Sequence, residues 1–110
     1  MFLKIDTCLI KNFASANKIT TENLKVFYML SNSDGPQLAI QITKKALKLA
    51  VIRNKVRRVI REDFRKISVN LPAIDILLVI SKKIYSNKHE ISDILMQEWK
   101  VSIKSLLVSQ

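Results

Sequence analysis

The segment from Lys44 to Ile67 constrains the fold of this chain most, because it contains neither glycine nor proline. Its apolar residues recur every three or four positions, which predicts a single amphipathic helix of about 24 residues. That length is about twice the average for helices in globular proteins. The predicted core face consists of seven apolar residues: Leu49, Ile52, Val56, Val59, Ile60, Phe64 and Ile67.

The opposite face of this predicted helix is strongly cationic. It carries Arg53, Asn54, Arg57, Arg58, Arg61 and Arg65. Arginines spaced four residues apart repel each other by roughly a few tenths of a kcal/mol per pair. A solvated face that only keeps the protein soluble is one explanation, but mixed charges would serve that purpose without the repulsion. A face that normally lies against an anion explains the pattern better.

The net charge of +10 is concentrated in the same region. Between Lys44 and Lys66 there are ten basic residues and two acids, so this segment supplies +8 of the total. Lys44 and Lys45 would occupy the first turn of the predicted helix, where free backbone N–H groups and the helix dipole favour a phosphate. Such a surface predicts a polyanionic partner, and nucleic acid is the simplest one.

The remaining sequence predicts an α+β fold with the element order α-β-β-β-α-β-α. A capping box formed by Asn87 and Glu90 marks the start of the last helix. The other predicted elements are a short first helix at 5–17, a short strand at 18–20, and longer strands at 24–31, 37–43 and 73–81.

The predicted strands differ in how they should be placed in a sheet. The strands at 24–31 and 37–43 are separated by a turn with Gly35 and Pro36, so we expect them to pair as a hairpin. The nearly continuous apolar run at 73–81 is typical of a strand that is buried on both faces or central in a sheet. We expect residues 1–110 to form a single small domain, a sandwich of one sheet with helices packed on it.

Several residue types limit the class of protein. There is no run of about 18 apolar residues, so no membrane-spanning helix is predicted. Cys8 is the only cysteine, which predicts a buried thiol and a reduced, cytoplasmic protein. We find no metal-ligand cluster, nucleophile–base pair or glycine-rich phosphate loop. His89 is the only histidine and precedes the last helix, so we expect it at a helix end on the surface rather than in catalysis.

The stretch LAIQITKKALKLAVIRNKVRRVIREDFR resembles the signature of the bacterial ribonuclease P protein component. In that family a strand that ends in a hydroxyl residue and two lysines leads into a helix with an Arg-Asn-x-x-basic-Arg core. The downstream LPAIDILLVISKK fits the family's next strand, so the resemblance covers residues 38–83. The matching residues here are Thr43, Lys44, Lys45, Arg53, Asn54, Arg57 and Arg58.

The resemblance implies a fold and a function. The fold is that of the second domain of ribosomal protein S5, with a left-handed strand–helix–strand crossover that departs from the usual right-handed rule. The function is that of a non-catalytic subunit of an endoribonuclease, whose RNA subunit removes the 5′ leader of precursor tRNA with magnesium ions. The implied partners are ribonuclease P RNA, in a 1:1 complex with a monomeric protein, and precursor tRNA. No cofactor bound by the protein alone is implied.

The resemblance also implies two binding sites. The catalytic RNA would be bound by Lys44, Lys45, Arg53, Asn54, Arg57, Arg58, Arg61 and Arg65. The leader would lie in a cleft between the sheet and the first helix, where Phe13 and Tyr28 match family positions while Phe27 faces the core. Core packing is an equal alternative for Phe13, and a local hydrogen bond is the alternative for Asn54. Many relatives have a second aromatic residue where this chain has Leu9.

Two other classes of protein compete with this hypothesis. A small basic ribosomal or RNA-chaperone protein would share the cationic helix without belonging to an enzyme. A DNA-binding regulator could place the helix in a major groove. We disfavour the regulator because a helix flanked directly by strands lacks the partner helix of a helix-turn-helix motif.

Overall fold

A computed structural model of the chain describes residues 2–3, 11, 13, 16–31, 34–85, 87 and 89–109. Most of the predicted first helix lies outside these residues. The predicted mixed fold is confirmed, and each predicted strand ends within one residue of its observed limits. The described elements are β1 (Asn17–Thr20), β2 (Lys25–Leu30), β3 (Gln37–Ile42), α1 (Ala50–Ile67), β4 (Ile74–Ile80) and α2 (Ile91–Ser109), with a short 3-10 turn at Ser68–Asn70.

The four strands form one sheet in the order β1-β2-β4-β3. Strand β4 pairs antiparallel with β2 and parallel with β3, so its predicted central position is confirmed. The expected hairpin of β2 and β3 is therefore wrong. Placing the most apolar strand between the other two buries both of its faces.

Helix α1 connects the parallel neighbours β3 and β4, which is the strand–helix–strand crossover that the resemblance implies. The left-handed sense of this crossover stays a prediction. Among the described residues, neither helix is long and apolar enough to cross a membrane.

The two faces of the sheet have different coverings. One face packs against both helices, and its core includes Val56, Ile60 and Phe64 of α1 together with Leu95 and Trp99 of α2. The other face carries a small separate cluster of Phe13, Ala39 and Leu77. The strand residues that face the helices are Val26, Tyr28, Leu38, Ile40, Ile42, Ile74, Ile76, Leu78 and Ile80.

Helix α1 begins at Ala50, not at Lys44 as predicted. Residues 44–46 form a turn, in which the Thr43 Oγ1 accepts a hydrogen bond from the Ala46 N–H at 3.1 Å. Ala46 and Leu47 are then buried against the core. Nothing in the local sequence breaks the helix, so burial of these two side chains overrides helix propensity. Leu49, predicted to lie in the core, is 57% exposed.

Two hydrogen-bonded contacts attach α2 to the rest of the fold. The buried Trp99 donates its Nε1–H to Asp63 Oδ2 of α1 at 2.8 Å. The Glu98 carboxylate accepts from the backbone N–H and the Nδ2 of Asn23, both at 2.7 Å, and from the Thr21 hydroxyl. The helix that carries the cationic face and the turn between β1 and β2 are therefore both anchored to α2.

Candidate nucleic-acid interface

The cationic residues of α1 form a shallow groove on the side of the helix away from the core. We call it the arginine groove. It has a volume of about 300 Å³ and is lined by Asn54, Arg57, Arg58, Arg61 and Arg65. The structure thus brings together five of the eight residues predicted to bind RNA. Periodicity alone predicted this clustering, because the residues lie opposite Val56, Ile60 and Phe64 on the same helix.

The arginines of this groove repel one another. Partial burial lowers the pKa of Arg57 from its ordinary value, and the charges of Arg53 and Arg61 lower it further. Arginine stays protonated in proteins, so the shift records an unfavourable field rather than a loss of charge. A bound polyanion would relieve that field.

Asn54 has a local role within the arginine groove. Its Oδ1 accepts a hydrogen bond from Arg57 Nη1 at 3.2 Å. Because both side chains lie on the surface, this bond orients the guanidinium without burying it. The local hydrogen bond considered for Asn54 is therefore present, and the Asn54 side-chain N–H₂ donors remain available to a ligand.

Arg53 lies apart from the groove and holds the loop before α1. Its Nη1 donates to the carbonyl oxygens of Leu47 and Lys48, each at 2.8 Å. This contact replaces side-chain capping, because the N-cap residue Leu49 makes no side-chain cap. Arg53 thus has a structural task that sequence reasoning did not assign.

Lys44 and Lys45 are exposed but lie in the turn at 44–46. The prediction that they occupy the first helical turn beside free N–H groups is wrong, because α1 starts at Ala50. Lys45 instead lines a hollow together with Lys48 and Lys83. These cations form a second basic cluster beside the start of α1.

Phe2 contacts two arginines of the arginine groove, a role that was not predicted from the sequence. Its ring centroid lies 5.4 Å from the guanidinium carbon of Arg61 and 5.2 Å from that of Arg65. The ring also packs against Phe64, with centroids 6.0 Å apart. Phe2 forms a parallel bridge with Leu38, so the edge of β3 fixes the ring below the arginines.

The face of the sheet away from the helices carries a second hollow, which we call the sheet hollow. It has a volume of about 490 Å³. Its floor is apolar, and Lys11 and Lys25 supply cations. Its lining residues are Lys11, Phe13, Lys25, Phe27, Gln41, Leu77, Val79 and Ser81.

The aromatic residues of the sheet hollow differ from those predicted. Tyr28 is only 7% exposed and belongs to the core beneath the helices, so its predicted place in the cleft is wrong. Phe27 points to the opposite face and lines the sheet hollow, with Lys18 Nζ 6.0 Å from its ring. Phe13 is 2% exposed and packs with Ala39 and Leu77, so it serves the hollow mainly as a buried wall.

Other candidate residues lie away from both sites. His89 is exposed before α2, and its backbone N–H donates to Asn87 Oδ1 at 3.0 Å. Cys8 and Leu9 lie outside the described residues. The described residues contain no group of three or more His, Cys, Asp or Glu side chains able to hold a metal ion.

Sequence comparison relates the chain to one family. The sequence profile of the Ribonuclease P family matches residues 5–106. The ribonuclease P protein component of Psychrobacter sp. (strain PRwf-1) is 45% identical over 64 residues, covering 54% of this chain and 49% of the relative. That of Legionella pneumophila (strain Lens) is 39% identical over 84 residues, covering 71% of both proteins. The matches thus span between about half and 71% of the relatives' lengths.

Structural comparison gives the same result for the fold. The ribonuclease P protein of Staphylococcus aureus superposes with a TM-score of 0.71 at 23% identity, covering 92% of this chain and 94% of the other. The Thermotoga maritima protein superposes with a TM-score of 0.66 at 23% identity, covering 91% and 96%. With the profile match over most of the sequence, these likenesses lead to one conclusion: this chain belongs to the ribonuclease P protein family.

Proposed function

We propose that this protein is the RNA-binding, non-catalytic subunit of ribonuclease P, in a 1:1 complex with the catalytic RNA in the cytoplasm. The holoenzyme removes the 5′ leader of precursor tRNA. The observation that carries the proposal is the arginine groove, a set of four arginines and Asn54 gathered on one exposed helix face of a member of this family. The chemistry belongs to the RNA and the magnesium ions bound to it.

The arginine groove suits the phosphates of a folded RNA. A guanidinium group donates two parallel hydrogen bonds to a phosphate, and it is more weakly hydrated than an ammonium group. Arg57, Arg58, Arg61 and Arg65 present several such groups along one helix face. Partial burial, followed by the charges of Arg53 and Arg61, lowers the pKa of Arg57, and the repulsion between these arginines falls when phosphates lie between them. Lys44 and Lys45 add exposed cations beside the helix start.

The sheet hollow suits the single-stranded leader. Proteins bind single strands with grooves that combine cations for the phosphates and aromatic faces for the bases. Lys11, Lys25 and Phe27 supply this combination, and Phe27 takes the role first expected for Tyr28. Phe13 forms part of the wall against which the strand lies. Binding of both RNAs would let the protein hold the leader beside the catalytic RNA.

The experiment that tests the proposal is cleavage of precursor tRNA by the cognate RNA subunit. At low magnesium concentration, we expect cleavage only when the protein is present, because its cations replace ions that otherwise neutralise phosphates. The charge reversal Arg57→Glu should abolish this rescue. The matched variant Lys104→Glu, on the exposed surface of α2, should retain it.

Two outcomes would count against the proposal. One is that the purified protein fails to restore cleavage by the cognate RNA at any magnesium concentration. The other is that the protein co-sediments with ribosomal subunits and does not bind ribonuclease P RNA, as a small basic ribosomal protein would.

A further inference from the structure

We propose that the RNA-binding surface continues from the arginine groove onto two adjoining loops, where Tyr85 stacks on an unpaired base of the catalytic RNA. The loops are the one before α1 and the one after β4. This inference rests on the proposed function and adds to it a base-stacking site at Tyr85, whose neighbour Lys83 lines a hollow together with Lys45 and Lys48.

The two loops form one surface. The Ile84 backbone N–H donates to the carbonyl oxygen of Ala46 at 3.3 Å, which joins them directly. Between them lies a hollow of about 230 Å³, whose lining includes Lys45, Lys48 and Lys83. Residues far apart in the sequence thus bring three lysines to the lining of one otherwise mostly apolar depression, and lysines neutralise the phosphates of nucleic acids.

Tyr85 adds an aromatic face beside these cations. Its side chain is 85% exposed, so the ring contributes almost nothing to the core. The Lys83 ammonium lies 5.3 Å from the ring centroid, within the range of a cation–π interaction. An exposed ring beside a lysine has the chemistry of a stacking platform for an unpaired base.

The two loops adjoin the arginine groove, which favours the RNA in that groove as the ligand of the loops. Arg53 projects from α1 and donates to the carbonyl oxygens of Leu47 and Lys48. Its guanidinium therefore lies between the arginine groove and the hollow that contains Lys48. A single RNA lying along the groove would meet these loops next, which favours the catalytic RNA over the leader.

The test measures binding of labelled ribonuclease P RNA to variants of the full chain. We expect Tyr85→Ala to weaken binding by about fivefold or more, since loss of one base–aromatic stack has an effect of that size. Tyr85→Phe, which retains the ring, should bind like the parent chain. Lys83→Ala should reduce the salt dependence of binding by about one phosphate contact. Lys104→Ala is the matched lysine control on α2.

The possible outcomes separate this inference from the proposed function. Weakened binding by Arg57→Ala with unchanged binding by Tyr85→Ala overturns the stacking site alone. Unchanged binding by both variants overturns the proposed function too. An equal loss in Tyr85→Ala and Tyr85→Phe overturns stacking as the cause. A loss seen only for leader-bearing precursor tRNA in the holoenzyme overturns the choice of the catalytic RNA. Thermal unfolding should be the same for all Tyr85 variants.

Discussion

The ring centroid of Phe2 lies 5.4 Å from the guanidinium carbon of Arg61 and 5.2 Å from that of Arg65. The Leu3 N–H donates to the Leu38 carbonyl oxygen at 2.8 Å, so this segment extends the sheet beside β3. The sheet edge and the cationic helix are therefore linked through one aromatic ring. Arg61 Nε is buried and has no hydrogen-bond partner within the described part of the chain, so the stacked ring is a contact that this guanidinium has in place of a hydrogen bond at Nε.

Phe2→Leu should weaken RNA binding while leaving the fold intact. Leucine keeps apolar contact with Phe64 but offers no π face, so Arg61 and Arg65 become less ordered before binding. Ordering them on the RNA then costs about 1 kcal/mol more, roughly a fivefold loss of affinity. The measurement is the dissociation constant for ribonuclease P RNA, compared with the thermal midpoint. Phe2→Tyr is the control, and an equal loss of affinity in that variant would contradict the role of the π face.

Trp99→Phe should lower the free energy of unfolding. The indole N–H donates to the Asp63 carboxylate at 2.8 Å, and hydrogen bonds to charged groups contribute about 1.5–3 kcal/mol. Urea denaturation followed by circular dichroism measures the change, since Trp99 is the only tryptophan. Asp63→Asn retains an acceptor oxygen, so its free energy of unfolding should fall by less than that of Trp99→Phe. Equal stability of the parent and Trp99→Phe would show that this contact does not hold α1 against α2.

Substitutions of Phe27 and Tyr28 should affect different properties, leader binding and stability respectively, because the two side chains lie on opposite faces of β2. Phe27→Ala removes the half-buried ring that lines the sheet hollow and should weaken binding of leader-bearing precursor tRNA by about 1–3 kcal/mol. Binding of mature tRNA should not change. Tyr28→Ala empties a core position and should cost about 3–5 kcal/mol of folding free energy. Competition binding and urea denaturation measure the two effects. A leader-specific loss in Tyr28→Phe with none in Phe27→Ala would reverse this assignment.

The core face of α1 could be predicted because periodicity and burial agree there. Val56, Ile60 and Phe64 are each 0% exposed, and all three were expected inside. The start of the helix could not be predicted. The local sequence favours a helix from Lys44, but Ala46 and Leu47 turn into the core, which is a tertiary effect.

The faces of the strands show a similar limit. Alternation indicates that Phe27 and Tyr28 point in opposite directions, but both are aromatic, and only the packing of the helices decides which is inside. The hairpin error has a related cause. Strand β4 occupies the edges of β2 and β3 that would face each other in a hairpin, so the two arrangements exclude each other. Strand order depends on contacts between distant segments, which local patterns do not contain. The contact of Phe2 with the arginine groove could not be predicted, because its partners Arg61 and Arg65 lie far from it in the sequence.

Arg57→Gln should stabilise the free protein slightly while weakening RNA binding. Partial burial and the charges of Arg53 and Arg61 lower the pKa of Arg57, which means that the folded state disfavours this charge. Removing it should raise the free energy of unfolding by roughly a few tenths of a kcal/mol at low salt. The part of this gain that comes from repulsion by Arg53 and Arg61 should vanish at about 1 M salt, where charges more than about 3 Å apart are screened. Urea denaturation at several salt concentrations measures it.

Arg57→Gln should lower the affinity of the protein for RNA. Losing one phosphate contact should reduce the slope of log affinity against log salt by about one. Lys55→Gln is the matched control, because Lys55 is exposed on α1 with valine four residues away on both sides. Lys55→Gln should change neither the free energy of unfolding nor the slope of log affinity against log salt. A destabilised Arg57→Gln protein with an unchanged salt slope would mean that Arg57 serves the fold and not the RNA.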